Sequence, residues 1–363
     1  MAGQLTMPRN MIASNVKVFG ALDRFCSIRA DPVRNSDQKR WIATQPAERT
    51  FLKDAILSEK HSFGLARGLA RFNHETASFF FTLGFDHASP FGAFTEIDVD
   101  GGKLTAILAE LHPRPRQSPA LVRQYVEVED ASIPGYTGHD HTLIASLFPE
   151  IRCFVAKDIA PEETWRIFFL FCIQECRQGE SWIDETLADT LQTICELEQM
   201  QIPYRTLCRS VFDSDPATMF LALYRCLESL YAYSSAEKVI TSLGLSKNWG
   251  DVAAALEDAL DWHPREETSL IALLTNAIEA DLVSVFDSLG EQVPTNTNDV
   301  ATSAAKRIYR LRNGLVHFRP YHHGIDHGAI DWNRLCTTMA IFVFDIYYKI
   351  FRSPVTAGAT SSE

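Results

Sequence analysis

A basic stretch near the C-terminal end holds the residue types best suited to chemistry. It covers residues 306–321 and reads KRIYRLRNGLVHFRPY. No aspartate or glutamate lies between Val300 and Ile325, although the whole chain is acidic. Arginine offers phosphate oxygens a planar fork of donors, and histidine transfers protons near neutral pH. The cations make a local positive field that favours a phosphate group. They are Lys306, Arg307, Arg310, Arg312 and Arg319.

The spacing in this stretch predicts a helix that carries the polar residues. Its apolar side is formed by Ile308, Leu311 and Leu315. Pro320 must end the helix, because proline lacks the backbone N–H that would continue it. Asn313 and His317 are four residues apart and therefore share a face of the predicted helix. Arg312 lies about 140° from His317 around an ideal helix, but its long side chain can reach the same cleft.

The run RNGLVH at residues 312–317 resembles the R-N-x-x-x-H signature of HEPN ribonucleases. This superfamily includes toxins of toxin–antitoxin pairs and effectors of antiphage and CRISPR-associated defence. The looser family pattern, an arginine followed after four to six residues by a histidine, is also met by Arg67 and His74. The added asparagine, the helical setting and the flanking helices distinguish the later match. The resemblance covers residues 211–352 and leaves the first part of the chain unassigned.

The resemblance implies a metal-independent endoribonuclease that cleaves single-stranded RNA, as a toxin or an abortive-infection effector. Attack by the RNA 2′-hydroxyl needs a base, an acid for the leaving oxygen, and positive charge on the phosphate. His317 would transfer protons, and Arg312 would bind the phosphate. Asn313 would orient His317 or bond to the phosphate. Further RNA contacts are expected from Lys306, Arg307, Arg310, Arg319, His322 and His323.

The resemblance also implies a homodimer, in which two signatures face one phosphodiester across a two-fold axis. One chain supplies a single signature histidine, whereas the reaction needs both an acid and a base. The predicted last helix, residues 331–351, is apolar on more sides than one bundle face requires, which favours a second subunit. We therefore expect His317 and Arg312 of both chains to line one shared cleft.

Other interpretations of these residues remain open. An Arg-Asn pair near a helix end also occurs as an ordinary surface feature, and a lone histidine is often structural. Glu228 forms either a surface ion pair with Arg225 or a support that orients Arg312 across the bundle. The competing function is a catalytically silent HEPN-like module that binds a nucleotide, an antitoxin or a defence partner.

Neither a metal nor another cofactor is predicted. The histidine-rich loop that follows the signature lacks the fixed scaffold of a metal site, and RNA contact suits it better. The triplet His139-Asp140-His141 is typical of a solvated turn. No P-loop, dinucleotide-binding glycine motif or G-x-S-x-G elbow is present in the sequence.

Composition limits the class of protein and its surroundings. A net charge of −12 over 363 residues argues against general coating of nucleic acid or membrane, so any RNA contact must be local. The eight cysteines form no CxxC pair and lie mostly in apolar helical patterns, which indicates buried, reduced thiols. Neither a signal peptide nor an apolar run of transmembrane length is found. We expect a soluble, cytoplasmic protein without membrane contact.

The predicted fold is α+β overall, with a C-terminal all-α HEPN-type helical bundle after a mixed α/β N-terminal domain. The expected boundaries are 1–158 for a domain of unknown role that is available to an antitoxin or defence partner, 159–210 for a helical connection, 211–352 for the bundle and 353–363 for a disordered tail.

Individual elements of the N-terminal part follow from local patterns. A strand is expected from Asn15 and a helix over residues 46–60. Two further strands are expected at residues 77–85 and 93–99, which are rich in aromatic and β-branched side chains. The Asp-Gly-Gly at residues 100–102 predicts a tight turn into a hairpin strand at residues 103–111.

The C-terminal half shows helical periodicity, and the order of its helices is similar to that of a HEPN bundle. One helix is expected over residues 216–233, and one apolar stripe runs from Leu270 to Leu289. The signature helix and the apolar last helix follow them.

Overall fold

The computed structural model describes residues 10–179, 181–199, 201–294, 299–317 and 326–352. The chain divides into two compact units, Met1–Gln178 and Gly179–Glu363. The mixed α and β composition predicted from the sequence is confirmed. The predicted disordered tail, together with Arg319, His322 and His323 of the site prediction, lies outside the described residues.

The first unit combines six α-helices with one antiparallel sheet. Its helices are α1 (Met11–Ser27), α2 (Pro46–Asp54), α3 (Gly101–Leu111), α4 (Pro119–Glu127), α5 (His141–Ala145) and α6 (Thr164–Gln178). Its strands are β1 (Ile56–Phe63), β2 (Arg67–His74), β3 (Ala77–Leu83), β4 (Thr95–Ile97) and β5 (Ile151–Lys157). The strand order is β1-β2-β3-β5-β4, and every neighbouring pair is antiparallel.

Helices cover both faces of this sheet. Phe72 and Phe81 belong to a core that the sheet shares with α1 to α5. Phe80 points to the opposite face, where its ring centroid lies 5.9 Å from that of Phe168 on α6. Because side chains alternate along a strand, the neighbouring residues Phe80 and Phe81 pack on opposite faces of the sheet. Helix α6, which the sequence placed in a connection, is therefore part of the first unit.

The strand predicted from Asn15 was wrong, because this segment is the long helix α1. Its buried residues recur every three or four positions, which is the helical period rather than the strand period. Asn10 caps the helix by accepting a hydrogen bond from the Ile12 N–H at 2.8 Å. The helix predicted over residues 46–60 was also too long, since it ends at Asp54 and β1 begins at Ile56.

The hairpin predicted after residue 99 was wrong as well. Asp100 is the N-cap of α3, and its Oδ1 accepts a hydrogen bond from the Lys103 N–H at 2.9 Å. An aspartate side-chain oxygen accepts a backbone N–H both at the start of a helix and in a tight turn. The short Asp-Gly-Gly motif alone therefore does not distinguish a helix start from a turn. The following residues are almost entirely buried in the first core.

The two glycines of this motif serve close packing rather than a turn. A Cβ on Gly101 would overlap the carbonyl oxygen of Ala43, and a Cβ on Gly102 would overlap that of Glu48. Neither glycine has a positive φ. The start of α3 therefore lies directly against the backbone before and within α2.

The second unit is helical, and no strand occurs among its described residues. Its helices are α7 (Glu185–Glu196), α8 (Tyr204–Val211), α9 (Ala217–Glu228), α10 (Tyr233–Leu243), α11 (Trp249–Leu260), α12 (Glu266–Leu274), α13 (Glu279–Ser288), α14 (Val300–Val316) and α15 (Trp332–Arg352). The apolar stripe over residues 270–289 belongs to two helices, α12 and α13, instead of one. The helix predicted over residues 216–233 ends at Glu228.

Helix α15 is buried by helices of its own unit. It packs against α7, α9 and α13. Met339, Phe342 and Tyr347 on it are buried, and the Tyr347 hydroxyl donates to the Cys226 carbonyl of α9 at 3.0 Å. The apolar excess of this helix is thus accounted for within one chain, so it does not by itself require a second subunit.

The cysteine prediction is confirmed, because all eight cysteines are buried and none forms a disulfide bond. They are Cys26, Cys153, Cys172, Cys176, Cys195, Cys208, Cys226 and Cys336. Burial raises the pKa of the thiols of Cys153, Cys226 and Cys336, which keeps them protonated. In the part of the chain that the structure describes, every helix is too short or too polar to cross a membrane.

Candidate functional site

Three helices of the second unit converge on Arg312. Helix α14 carries Arg312 and Asn313, and it packs against both α9 and α12. Helix α9 contributes Tyr224 and Glu228, which are four residues apart and therefore lie on one helical face. Helix α12 contributes Glu266 from its first turn. Residues distant in sequence thus meet around one guanidinium group.

The guanidinium of Arg312 is held at both of its terminal nitrogens. Nη1 donates to Asn313 Oδ1 at 2.9 Å and lies 3.5 Å from Glu266 Oε2. Nη2 donates to Glu228 Oε1 at 3.3 Å. The Arg312 side chain is 17% exposed, so it still reaches solvent. The group is therefore ordered before any ligand arrives.

The face of Arg312 rests on an uncharged aromatic platform. Its Cζ lies 5.5 Å from the ring centroid of Tyr224, a distance at which the ring attracts a cation. The Tyr231 hydroxyl donates to the Tyr224 hydroxyl at 2.7 Å. Burial raises the pKa of Tyr224 to about 12, and burial also raises the pKa of Tyr231. Both phenols are therefore neutral at physiological pH.

His317 lies just beyond the helix, which corrects the predicted arrangement. Helix α14 ends at Val316, and His317 is its C-cap with extended backbone angles of φ −106° and ψ 110°. The angle between Arg312 and His317 around an ideal helix therefore does not apply. The His317 side chain is exposed.

Asn313 positions the arginine rather than the histidine. Its side-chain oxygen accepts the hydrogen bond from Arg312, and its backbone carbonyl accepts the His317 N–H at 2.9 Å. The ring of His317 makes no hydrogen bond or ion pair with the described residues. The structure thus brings Arg312 and Asn313 together and leaves His317 separate from them.

The basic residues of α14 that were predicted to contact RNA are only partly free of acidic neighbours. Lys306 and Arg310 are exposed, whereas Arg307 Nε forms an ion pair with Glu291 Oε2 at 2.8 Å. The sequence between Val300 and Ile325 is free of acids, but Glu291 and the two glutamates at Arg312 come from other segments. The local positive field is therefore weaker than the sequence alone predicts.

Of the two glutamates at Arg312, the sequence predicted one and missed the other. Of the two interpretations of Glu228, the structure shows the contact with Arg312 across the bundle. Glu266 was missed, because an acidic residue in the first turn of a helix is also typical of favourable interaction with the helix dipole. Only the packing of α12 against α14 brings it to Arg312.

The first unit has a groove of about 480 Å³ that the sequence did not predict. One wall is formed by α1 and the other by residues 36–41. Arg40 and Asp23 are among the lining residues and form a buried ion pair at 2.6 Å. Burial raises the pKa of the Asp23 carboxyl, although Arg40 acts in the opposite direction. Ile12 and Val16 are both 66% exposed along the groove.

The triplet at residues 139–141 has a structural role. Asp140 caps α5 by accepting the Thr142 N–H at 2.7 Å. His139 is buried rather than solvated, and its Nδ1 lies 2.7 Å from the Tyr136 hydroxyl. Over the described ranges, no group of three or more metal-binding side chains has a suitable arrangement for a metal ion.

No protein-family model matches the chain. Neither the curated proteins nor the solved structures contain a significant match.

Proposed function

We propose that this protein is a metal-independent endoribonuclease of HEPN type, which cleaves single-stranded RNA and acts as a toxin or antiphage defence effector. The observation that carries the proposal is the preorganised guanidinium of Arg312, held by Asn313 and Glu228 and still partly exposed. A donor fork fixed before the ligand binds is what stabilisation of a crowded phosphate requires. The signature motif and the helical surroundings add support.

The proposed chemistry gives a role to each of five residues. Arg312 donates to the non-bridging phosphate oxygens as the RNA 2′-hydroxyl attacks the phosphorus and the bond from phosphorus to the leaving 5′-oxygen breaks. His317, exposed at the end of α14, transfers a proton to or from the reacting oxygens. Asn313 fixes the guanidinium. Lys306 and Arg310 are exposed on the same helix and attract the flanking phosphates.

The homodimer is part of this proposal, and its support is the number of proton-transfer groups. One signature histidine serves as acid or base, whereas the reaction needs both. A second chain across a two-fold axis would supply the other histidine. Mixing Arg312→Ala chains with His317→Ala chains should give partial activity only if each chain contributes different groups to one site. Light scattering of active protein measures the oligomeric state, and a fully active monomer would contradict the shared site.

The central experiment is the substitution His317→Ala, which should abolish cleavage of single-stranded RNA and leave the fold intact. His263→Ala is the matched control, because His263 is a well exposed histidine of the same unit outside the proposed site. EDTA should leave the activity unchanged. Retained cleavage by purified His317→Ala protein would overturn the assignment, and so would a loss in EDTA that Mg²⁺ restores.

The second candidate is a silent HEPN-like module that binds a nucleotide, an antitoxin or a defence partner. The observation in its favour is that Glu228 and Glu266 more than neutralise the charge of Arg312. Toxicity on expression separates the two candidates. Toxicity relieved by Arg312→Ala supports the ribonuclease, whereas a harmless wild-type protein that still binds its partner supports the module.

A further inference from the structure

We propose that Glu266 is a latch on Arg312, which competes with the RNA phosphate for the guanidinium and so limits RNA binding. This inference rests on the proposed ribonuclease function and concerns the regulation of the same site. It starts from the charges around Arg312. The carboxylates of Glu228 and Glu266 each lie within ion-pair distance of the Arg312 guanidinium. The cluster therefore has a formal charge of −1 before any RNA arrives.

The two glutamates differ in how they hold the arginine. Glu228 accepts a hydrogen bond from Nη2, and it stands on the same helix as the Tyr224 platform. Glu266 reaches Nη1 only at the ion-pair distance of 3.5 Å, without a hydrogen bond. It also comes from a separate helix and has a more exposed side chain, 39% against 34% for Glu228. Glu228 thus orients the guanidinium, whereas Glu266 contributes mainly its charge.

A phosphate that binds Arg312 must approach a nitrogen that Glu266 already neutralises. Nη1 is shared between Asn313 and Glu266, so a phosphate oxygen at this nitrogen would lie close to the carboxylate. Two anions at one guanidinium nitrogen repel each other. Either the Glu266 side chain moves away or the phosphate binds weakly. Removal of the Glu266 charge leaves a neutral Arg312–Glu228 pair, which accepts phosphate more readily.

The chain offers a matched control on the same helical turn. Glu267 directly follows Glu266 in the first turn of α12 and makes no ion pair with Arg312 in the described structure. The substitutions Glu266→Gln and Glu267→Gln change the net charge and the charge at the helix N-terminus equally. A difference between the two variants therefore reports the contact with Arg312.

The experiment measures binding of a 2′-O-methyl oligoribonucleotide by fluorescence anisotropy and cleavage of the matching RNA. The oligonucleotide lacks the attacking hydroxyl, so its dissociation constant is independent of cleavage. Partly exposed ion pairs correspond to about 1.4- to 5-fold in an equilibrium constant. We expect Glu266→Gln to bind within this range more tightly than both wild type and Glu267→Gln. Its KM should fall in parallel, with little change in kcat.

The outcomes separate the latch from the function. If wild type cleaves RNA and the two variants bind equally, the latch is overturned and the ribonuclease stands. Weaker binding by Glu266→Gln than by Glu267→Gln would also overturn the latch, because Glu266 would then assist RNA. If none of the three proteins binds or cleaves RNA, both the proposed function and the latch are overturned.

Discussion

The guanidinium of Arg312 lies over the ring of Tyr224, with 5.5 Å between Cζ and the ring centroid. The two residues are 88 positions apart by their numbering and come from different helices. The ring attracts the cationic group, while Asn313 and Glu228 accept hydrogen bonds from its terminal nitrogens. Substitutions of Tyr224 and of Glu228 should therefore have different effects on the site.

Removal of the Tyr224 ring should impair the site more than removal of its hydroxyl. Tyr224→Phe keeps the attraction between ring and cation, so kcat for RNA should stay within about two-fold of wild type. Tyr224→Leu loses that attraction, about 0.5–1 kcal/mol or more, and should lower kcat several-fold. Both variants leave the Tyr231 hydroxyl without its acceptor, so urea unfolding should show a stability loss of about 1 kcal/mol in each. Equal kcat values for the two variants would argue against a platform.

Glu228 should act as a positioning residue for Arg312. Glu228→Gln keeps an acceptor for Nη2, so kcat should be largely retained while KM falls with the lost negative charge. Glu228→Leu has no acceptor, and a misplaced guanidinium should lower kcat by about ten-fold. Steady-state cleavage kinetics separate the two effects. An unchanged kcat in Glu228→Leu would show that the contact does not position Arg312.

The stability of the first unit should depend on Arg71, a buried arginine that is 2% exposed. Its guanidinium donates five hydrogen bonds, to acceptors on Asn73, Ser78, Ile159, Ala160 and Thr164. Arg71→Met would leave these buried acceptors without donors, and we expect a loss of about 3 kcal/mol or more in urea unfolding. Arg71→Lys should not restore the stability, because an ammonium has fewer donors and a different geometry. Wild-type stability of the lysine variant would contradict this role.

The cap of α3 provides a test of the corrected secondary structure. Asp100→Ala removes the acceptor for the Lys103 N–H and should cost about 1 kcal/mol. Asp100→Asn keeps a capping oxygen and should cost less. Gly102→Ala should destabilise the unit more than Asp100→Ala, since its Cβ would overlap the carbonyl oxygen of Glu48. Chemical denaturation followed by circular dichroism measures the stability of all three variants. Unchanged stability in Gly102→Ala would mean that the backbones at Gly102 and Glu48 are farther apart.

The stability of the first unit should fall as the pH falls below about 6.5, the ordinary pKa of histidine. Burial lowers the pKa of His139 and of His112. The unfolded chain therefore takes up protons at a higher pH than the folded chain does. The free energy of unfolding must then decrease as the pH falls through this range. Urea unfolding between pH 7.5 and 5 measures the slope.

His139→Gln should reduce that slope, because one of the two histidines with a lowered pKa is removed. His141→Gln controls for the loss of a nearby histidine. Equal slopes in wild type and His139→Gln would contradict the assignment of the effect to His139.

Local sequence determined those features that depend on neighbours along the chain. Strand β3 and helix α6 follow from period and residue type. The signature residues Arg312 and Asn313 were also identified, because their proximity is set by one helix. Where the same local motif fits two structures, as at Asp100, the prediction failed.

Tertiary packing decided what surrounds Arg312. Tyr224 and Glu266 are drawn to it only because α9 and α12 pack against α14. The acid-free stretch predicted a positive field, yet the field depends on distance in space and includes acids from other helices. Burial of α15 within its own unit was decided in the same way. The types and spacing of residues are local properties, whereas the charge and accessibility of a site are sums over everything that folding brings near it.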